Sequence, residues 1–258
     1  MIKKKQETSI GTMADMPDEA FVSTGVQEVD EMLGGGFPTH RITQVYGMPG
    51  VGKGFLMTMA MTVPTNKVLY IDAEFAMNRD RAKAAGVDLD AVDFLPSSQL
   101  EEVAEYVLDN LNKYNLIIID SLAALTPMAI GQNDVGSSTI GLAARQIGHF
   151  VAKLRPKLYS SQTAIVGINQ VRANMGYGAA ESKPFGSFAW NHAIDLSLKL
   201  SKGANNAVYR TSGGIKRQTG HYCTVKVDKS RIGDFGTETK FLIDYKIGEK
   251  PGEKNNVK

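Results

Sequence analysis

Cysteine is almost absent from this chain: its 258 residues contain one, Cys223. That excludes an internal disulfide and any cysteine-rich zinc cluster, and it fits a reducing compartment. Set in an apolar run, Cys223 reads as a strand residue and not as a nucleophile. Long hydrophobic runs are missing too. The basic start MIKKK is followed by polar QETSIGT, where a signal peptide needs an apolar stretch, and no later run is long enough to span a bilayer. A soluble, cytoplasmic protein is expected. Excess charge of one sign is scarce: the net charge of +2 is too small to advertise a nucleic-acid partner by itself. Its distribution is uneven, however. Between Lys199 and Arg231 stand eight Lys/Arg and one acid, Asp228, a run that serves either as a solvated hairpin or as a surface facing a polyanion.

What is present begins with the octapeptide GMPGVGKG, Gly47, Met48, Pro49, Gly50, Val51, Gly52, Lys53 and Gly54, followed by Phe55. It lies between a strand-like run (RITQVY) and a helical run (FLMTMAMTV), where a phosphate-cradling loop belongs. In such a loop successive backbone N–H groups converge on phosphate oxygens, and the helix that follows turns its positive end to the same anion. Lys53 would reach the β- and γ-phosphates. The signature GxxxxGK[ST] ends in a hydroxyl that ligates Mg²⁺, whereas this chain has Gly54 there, so nucleotide binding is favoured and ordinary hydrolysis is in question.

With 43% hydrophobic content the chain can bury one full core and needs no second domain. Residues 1–20 are charged and aperiodic and read as a flexible arm, 21–247 as the core, and 248–258 as a disordered tail. Strands are predicted at 42–46, 68–73, 116–121, 163–168, 196–200, 222–227 and 239–245. The central ones are continuous apolar runs, as parallel strands buried on both faces require. Helical patterns at 53–62, 78–85, 99–113 and 141–158 fall between them. The alternation predicts an α/β, doubly wound, mainly parallel sheet with an antiparallel edge from the last strands, and a ligand crevice at the carboxyl ends of the strands. Two Gly/Ser-rich stretches, 127–140 and 171–190, each follow a buried strand and read as functional loops.

The strand ends carry the chemistry. Run 116–121 closes on Asp120-Ser121, a carboxylate beside the phosphate loop that can hold Mg²⁺ directly or through water. Run 68–73 leads to Glu74, placed to polarise a water for in-line attack on the γ-phosphate. Run 163–168 is followed by Gln170, whose amide can bond a terminal phosphate oxygen while belonging to the loop that follows; that would make it a switch.

Several motifs in order, from about residue 22 to residue 247, resemble the core of the RecA/RadA strand-exchange recombinase family: STGVQEVDEMLGGGFP, the phosphate loop, YIDAEFAMNRDRAKAAGVDLD, IIIDSLAALTP, the GLAAR helix start, GINQVR and VKVDKSRIG. The resemblance implies a RecA-like ATPase core using ATP and Mg²⁺. It implies Glu74 as catalytic carboxylate, Asp120 as the metal-site acid, Gln170 as γ-phosphate sensor and Arg81 against the adenine. Segments 127–140 and 171–187 match the family's DNA-binding loops, with Arg145 and Arg172 approaching DNA phosphates and Ile140 and Met175 wedging between bases. Lys229 and Arg231 match positions that reach the ATP of the neighbouring protomer, and His192 a histidine near that nucleotide. In this family an N-terminal extension docks on the next subunit, for which residues 18–24 with Phe21 as anchor are the candidate. The basic hairpin 203–220 could touch duplex DNA.

The reading is then an ATP-dependent recombinase that forms helical filaments on single-stranded DNA and promotes pairing and strand exchange with a homologous duplex. A single-strand binding protein or mediator is a further possible partner. The minimal core points to a bacteriophage or other accessory member, placed in the host cytoplasm. Two alternatives stay open: a nucleotide-binding paralogue with little hydrolysis that loads a true recombinase, which Gly54 favours, and a hexameric helicase-type motor.

Overall fold

The run Leu116–Asp120 shows why the centre of the sequence is so apolar. Leu116 and Ile118 face one side of a sheet, with Val45, Val68 and Leu56, while Ile117 and Ile119 face the other, with Ile42, Leu69, Val103 and Leu154. All four Leu116–Ile119 side chains are fully buried. A strand covered on both faces cannot alternate apolar with polar. Each such side chain contributes roughly 1.5–3 kcal/mol of burial free energy.

A computed structural model describes residues 11–131, 140–171, 188–203, 206–212, 214–233 and 235–245. The elements in chain order are β1 (Phe21–Val22), α1 (Gln27–Met32), β2 (Phe37–Pro38), β3 (Ile42–Gly47), α2 (Lys53–Thr62), β4 (Val68–Asp72), α3 (Arg79–Ala84), β5 (Val92–Leu95), α4 (Leu100–Asn110), β6 (Leu116–Asp120), α5 (Met128–Gly131), α6 (Ile140–Tyr159), β7 (Ala164–Gln170), α7 (Phe188–Ala193), β8 (Leu196–Ser201), β9 (Ala207–Ser212), β10 (Ile215–Ser230) and β11 (Glu238–Asp244). The large sheet has the order β11-β10-β8-β3-β7-β6-β4-β5, with β9 paired to β10. Strands β8, β3, β7, β6, β4 and β5 run parallel, and β10, β11 and β9 are antiparallel additions at one edge.

Helices cover both faces. Helix α2 seats Leu56, Met57 and Ala60 in one core layer, and α4 and α6 close the other. The spacing of the buried residues on α4, Leu100, Val103 and Val107, continued by Leu111, is that of one helical stripe. Phe150, Val151, Leu154 and Leu158 form the matching stripe on α6. No helix among the described residues is long and apolar enough to cross a membrane.

The structure changes several boundaries. The expected strand 163–168 runs to Gln170, so Asn169 and Gln170 are strand residues and not the start of a loop. Strand 222–227 is the inner half of a sixteen-residue β10, whose outer half pairs with β9 as the expected basic hairpin. The stretch 127–140 opens with α5, and 132–139 lie outside the described residues. Strand β5, α1 and α7 were not foreseen. β5 is an edge strand with Asp93 and Phe94 exposed, so it carries no continuous apolar signal.

Phe21 opens the first strand. Phe21 pairs with Pro38 and Val22 with Phe37 in a two-stranded sheet within the same chain, and the Phe21 side chain stays half-buried. The ring root packs over Gly35, where a Cβ would lie 2.9 Å from Phe21 Cβ. Residues 11–20 hold one 3₁₀ turn, Met13–Asp15, and are exposed apart from half-buried Pro17. Residues 1–10 and the expected tail 248–258 lie outside the described residues.

Candidate nucleotide-binding site

Sheet register brings the sequence-predicted residues to one edge. Gly47 pairs with Gln170 across β3 and β7, and Asp72 pairs with Asp120 across β4 and β6, all at the carboxyl ends of parallel strands. This is the crevice that a doubly wound topology opens where the chain reverses its winding around β3.

The loop glycines are fixed by close approach. A Cβ on Gly47 would stand 2.3 Å from the Leu200 carbonyl oxygen, and one on Gly52, at φ 120°, would stand 2.2 Å from Ile243 Cδ1. Helix α2 starts directly after Gly52 with no side-chain cap. Its first N–H groups therefore have no side-chain acceptor and face the crevice with the positive end of the helix dipole. Gly54 is exposed in the first turn, and no atom lies within 4 Å of the position its Cβ would take. Phe55, beside it, stacks on Phe241 with ring centroids 5.9 Å apart.

Lys53 is buried, and its Nζ donates to the carbonyls of Gly47 at 2.8 Å and Met48 at 3.0 Å. Burial lowers its pKa, opposed by the nearby carboxylates of Asp120 and Glu74. Asp120 accepts a 2.6 Å hydrogen bond from Tyr70 Oη. Burial is the main reason its pKa is raised to about 6; Glu74 and Asp72 push the same way, and the Tyr70 bond and Lys53 oppose them. Tyr70 is itself pushed well above the ordinary phenol range, by burial first and Asp120 second. Asp72 turns away from this cluster and accepts from the backbone N–H groups of Ala76 and Met77, at 3.2 and 2.9 Å.

Glu74 and Gln170 meet. Glu74 Oε1 accepts from Ser121 Oγ at 2.5 Å and from Gln170 Nε2 at 2.8 Å. Behind Gln170 lies a buried polar network: its N–H donates to Asn169 Oδ1, Asn169 Nδ2 donates to Gln44 Oε1 at 3.0 Å, and Trp190 Nε1 donates to the same oxygen at 3.2 Å. The residue that meets Glu74 is thus wired through β3 to α7.

A cleft of about 470 Å³ runs from the loop along α2, between Arg81 of α3 and Tyr245 after β11, within the size range of small-molecule and cofactor pockets. Sequence reasoning missed part of its lining. His221 lies between Tyr245 Oη, at 2.8 Å from Nδ1, and the Val51 carbonyl, at 3.3 Å from Nε2. The bond to a carbonyl requires a proton on Nε2, so neutral His221 accepts from Tyr245 through Nδ1. A histidine inside an alternating strand gives no sequence signal for such a place. Tyr70 and Ser121, likewise missed, are identified only by the register of β4 and β6.

Other predicted residues lie elsewhere. Lys229, Arg231 and His192 sit at the amino ends of the parallel strands, because Ser230 pairs with Leu196, which in turn pairs with Thr43. Four residue steps along β3 separate Thr43 from Gly47, roughly 13 Å, and the Lys229 and Arg231 side chains are turned to the carbonyls of Asn191 and His192. Within one protomer they cannot touch a phosphate held by Lys53. Ile140 is the first residue of α6, and Arg145 is exposed on its second turn. Arg172 and Met175 lie outside the described residues.

Among the described residues no group of three or more His, Cys, Asp or Glu is arranged to hold a metal ion. Asp120, in the field of Lys53 at the loop, is the carboxylate that would hold Mg²⁺ if the metal were bound with a nucleotide. No hydroxyl is available at position 54.

The sheet, its crossovers and the loop at the first parallel strand define a RecA-like α/β domain. The family model for the RecA N-terminal domain matches residues 3–248, and the chain belongs to the RecA family. It is 36% identical over 247 residues to Protein RecA of Leptospira meyeri, covering 93% of this chain and 62% of that protein. It is 30% identical over 250 residues to the chromosomal Protein RecA of Lactococcus lactis subsp. lactis, covering 92% and 63%. The chain therefore spans a little under two thirds of the length of these relatives.

Proposed function

We propose that this chain is an ATP-dependent recombinase that assembles head to tail on single-stranded DNA and promotes homologous pairing and strand exchange. The observation that carries the reading is the contact between Glu74 and Gln170 at the phosphate loop. It couples the carboxylate best placed to activate water to the strand end that leads into the expected DNA-binding segment 171–187. Family membership supports the same reading.

In this account ATP lies in the cleft, with its phosphates over α2 and its base between Arg81 and Tyr245. Two of the three Lys53 N–H donors are held by the loop carbonyls, which leaves the third for a phosphate oxygen. Mg²⁺ would neutralise phosphate charge, and Asp120 would hold it. A γ-phosphate oxygen competes with Glu74 for the Gln170 amide. When it wins, Glu74 Oε1 keeps only its bond from Ser121 and can take a proton from water, and Gln170 shifts at the root of the DNA segment. Lys229 and Arg231 complete the site from the neighbouring protomer, stabilising charge on the transferring phosphoryl group. A head-to-tail contact of this kind builds an open filament. Arg145, Arg172, Ile140 and Met175 are the proposed DNA contacts.

A second reading has its own support. Gly54 removes the hydroxyl ligand, so a paralogue that binds ATP, hydrolyses little and loads another recombinase fits the site as well. Joint-molecule formation between a labelled single strand and a homologous supercoiled duplex separates the two. ATP-dependent joints made by this chain alone establish the recombinase, and joints that form only when a second recombinase is added establish the loader.

A further inference from the structure

At the amino ends of the parallel strands a carboxylate is held away from water. Asp195 is 0% exposed. Its Oδ2 accepts from the Ile42 N–H at 3.1 Å, and its Oδ1 is shared by Arg155 Nη1 at 3.1 Å and Arg231 Nη1 at 3.4 Å. A carboxylate keeps its charge in such a place only when cations match it. The carbonyls just before it extend the frame: Ala193 accepts from Arg155 Nη2, His192 from Arg231 Nη2 at 2.7 Å, and Asn191 from Lys229 Nζ at 2.8 Å. The backbone of Arg231 is tied as well, since its N–H donates to the Asp195 carbonyl at 2.8 Å. Yet the Arg231 side chain is 45% exposed. One edge of the guanidinium is seated on a buried anchor, and these contacts use two of its five N–H donors.

We infer that Asp195 is the positioning residue for Arg231: its buried carboxylate, shared with Arg155, fixes one edge of the guanidinium and leaves the other for a phosphate of the neighbouring protomer. The inference rests on the reading of Arg231 as a cation that acts in trans. Arg155 has a defined part in it. Were Arg231 the sole partner of Asp195, the pair would be neutral and its pull on an external phosphate weak; with Arg155 sharing the same oxygen, the cluster keeps a net positive charge. Lys229 adds to that charge, and its own pKa is lowered by burial first and by the field of Arg231 next. An asparagine at 195 would still accept from Ile42 but would not hold two arginines.

The test is ATP hydrolysis by the full chain on single-stranded DNA, alone and in equal mixtures. Asp195→Asn lowers kcat about tenfold and changes KM for ATP by less than about twofold. Mixed with Glu74→Gln, which is inactive in its own site but carries an intact Asp195 face, it recovers about one quarter of wild-type turnover. That is the share of interfaces joining an intact site to an intact face in a random head-to-tail polymer. A damaged fold or a defect in the protomer's own site gives no recovery and overturns the inference.

Arg231→Ala mixed with Glu74→Gln tests the underlying reading separately: no recovery there means that Arg231 does not act across the interface. If Arg231→Ala is rescued while Asp195→Asn turns over like wild type, or if the two defects multiply in the double variant, Asp195 is not the positioning residue. Should Asp195→Asn not fold, Arg231→Lys decides at a half-exposed position. It keeps the charge without the fork, so a fall of about tenfold supports positioning, and unchanged turnover overturns it.

Discussion

Gln170 Nε2 donates a 2.8 Å hydrogen bond to Glu74 Oε1 across 96 positions of sequence. Gln170 is the last residue of its strand, and Glu74 stands two residues beyond Asp72, the last of another. One side chain thus belongs both to the candidate chemistry and to the root of a candidate DNA segment. If γ-phosphate takes the amide, the two are coupled.

The coupling is measurable. ATP with Mg²⁺ is expected to raise the affinity of the wild-type chain for single-stranded DNA by about 5- to 150-fold, the ordinary range of allosteric coupling. Gln170→Ala should bind ATP nearly as well and lose that factor. Fluorescence anisotropy of a labelled oligonucleotide with and without ATP checks it, and an intact factor in the variant would remove Gln170 from the switch.

Gly54 sits where a side chain has room, inside the first turn of α2. Gly54→Ser should raise Mg²⁺-dependent phosphate release by supplying the missing hydroxyl. It should also stabilise the fold by roughly 0.5 kcal/mol through helix propensity, a gain of about 1–2 °C in Tm for a chain of this size. A higher Tm without faster hydrolysis would mean that the metal is held by another route.

Asp120 links function to pH. Its pKa rises from 3.8 to about 6 in the fold, so ionising it there costs on the order of 3 kcal/mol. Between those values the folded chain holds a proton that the unfolded chain has lost. Stability therefore falls as pH rises from about 4 to about 6, and is level above that. Asp120→Asn should flatten this window and be more stable than wild type at pH 7, by urea unfolding at pH 4, 5 and 7. Mg²⁺-dependent ATP affinity should follow the opposite course, weakening as pH drops through 6 in the wild type and showing no such step in Asp120→Asn.

His40 tests the reading of the fold. Its backbone is left-handed at φ 60°, the residue is 8% exposed, and neither ring nitrogen has a hydrogen-bond partner. Both features cost free energy, and glycine adopts this backbone readily. His40→Gly should leave the fold intact and gain on the order of 1 kcal/mol. A loss of that size in thermal unfolding would show that the imidazole contributes more through packing than its backbone costs.

What the sequence disclosed follows from what side chains report locally. The tips of β3, β4 and β6 were legible because a continuous apolar run ends abruptly in a glycine or an acid. Lys53, Glu74 and Asp120 followed as residues at or just beyond those tips, and Gln170 as the residue after the apolar run of β7. Tyr70 and Ser121 were not legible, since an alternating position faces the site only once the register of Asp72 with Asp120 is known. His221 comes from an antiparallel strand far along the chain and Tyr245 from just after another, and Asp195 looks from sequence like a polar break before a strand. The strand at Phe21 was not legible because a short strand that pairs within its own chain has the same composition as an exposed docking segment.

ATP bound between head-to-tail protomers is proposed to hold this chain in a filament on DNA. Negative-stain imaging with single-stranded DNA, with and without ATP and Mg²⁺, accompanied by phosphate release from the same samples, tests it most directly. Helical filaments that require nucleotide are expected, with phosphate release showing how far Gly54 slows turnover. Closed rings, or no assembly on DNA in the presence of ATP, would contradict it.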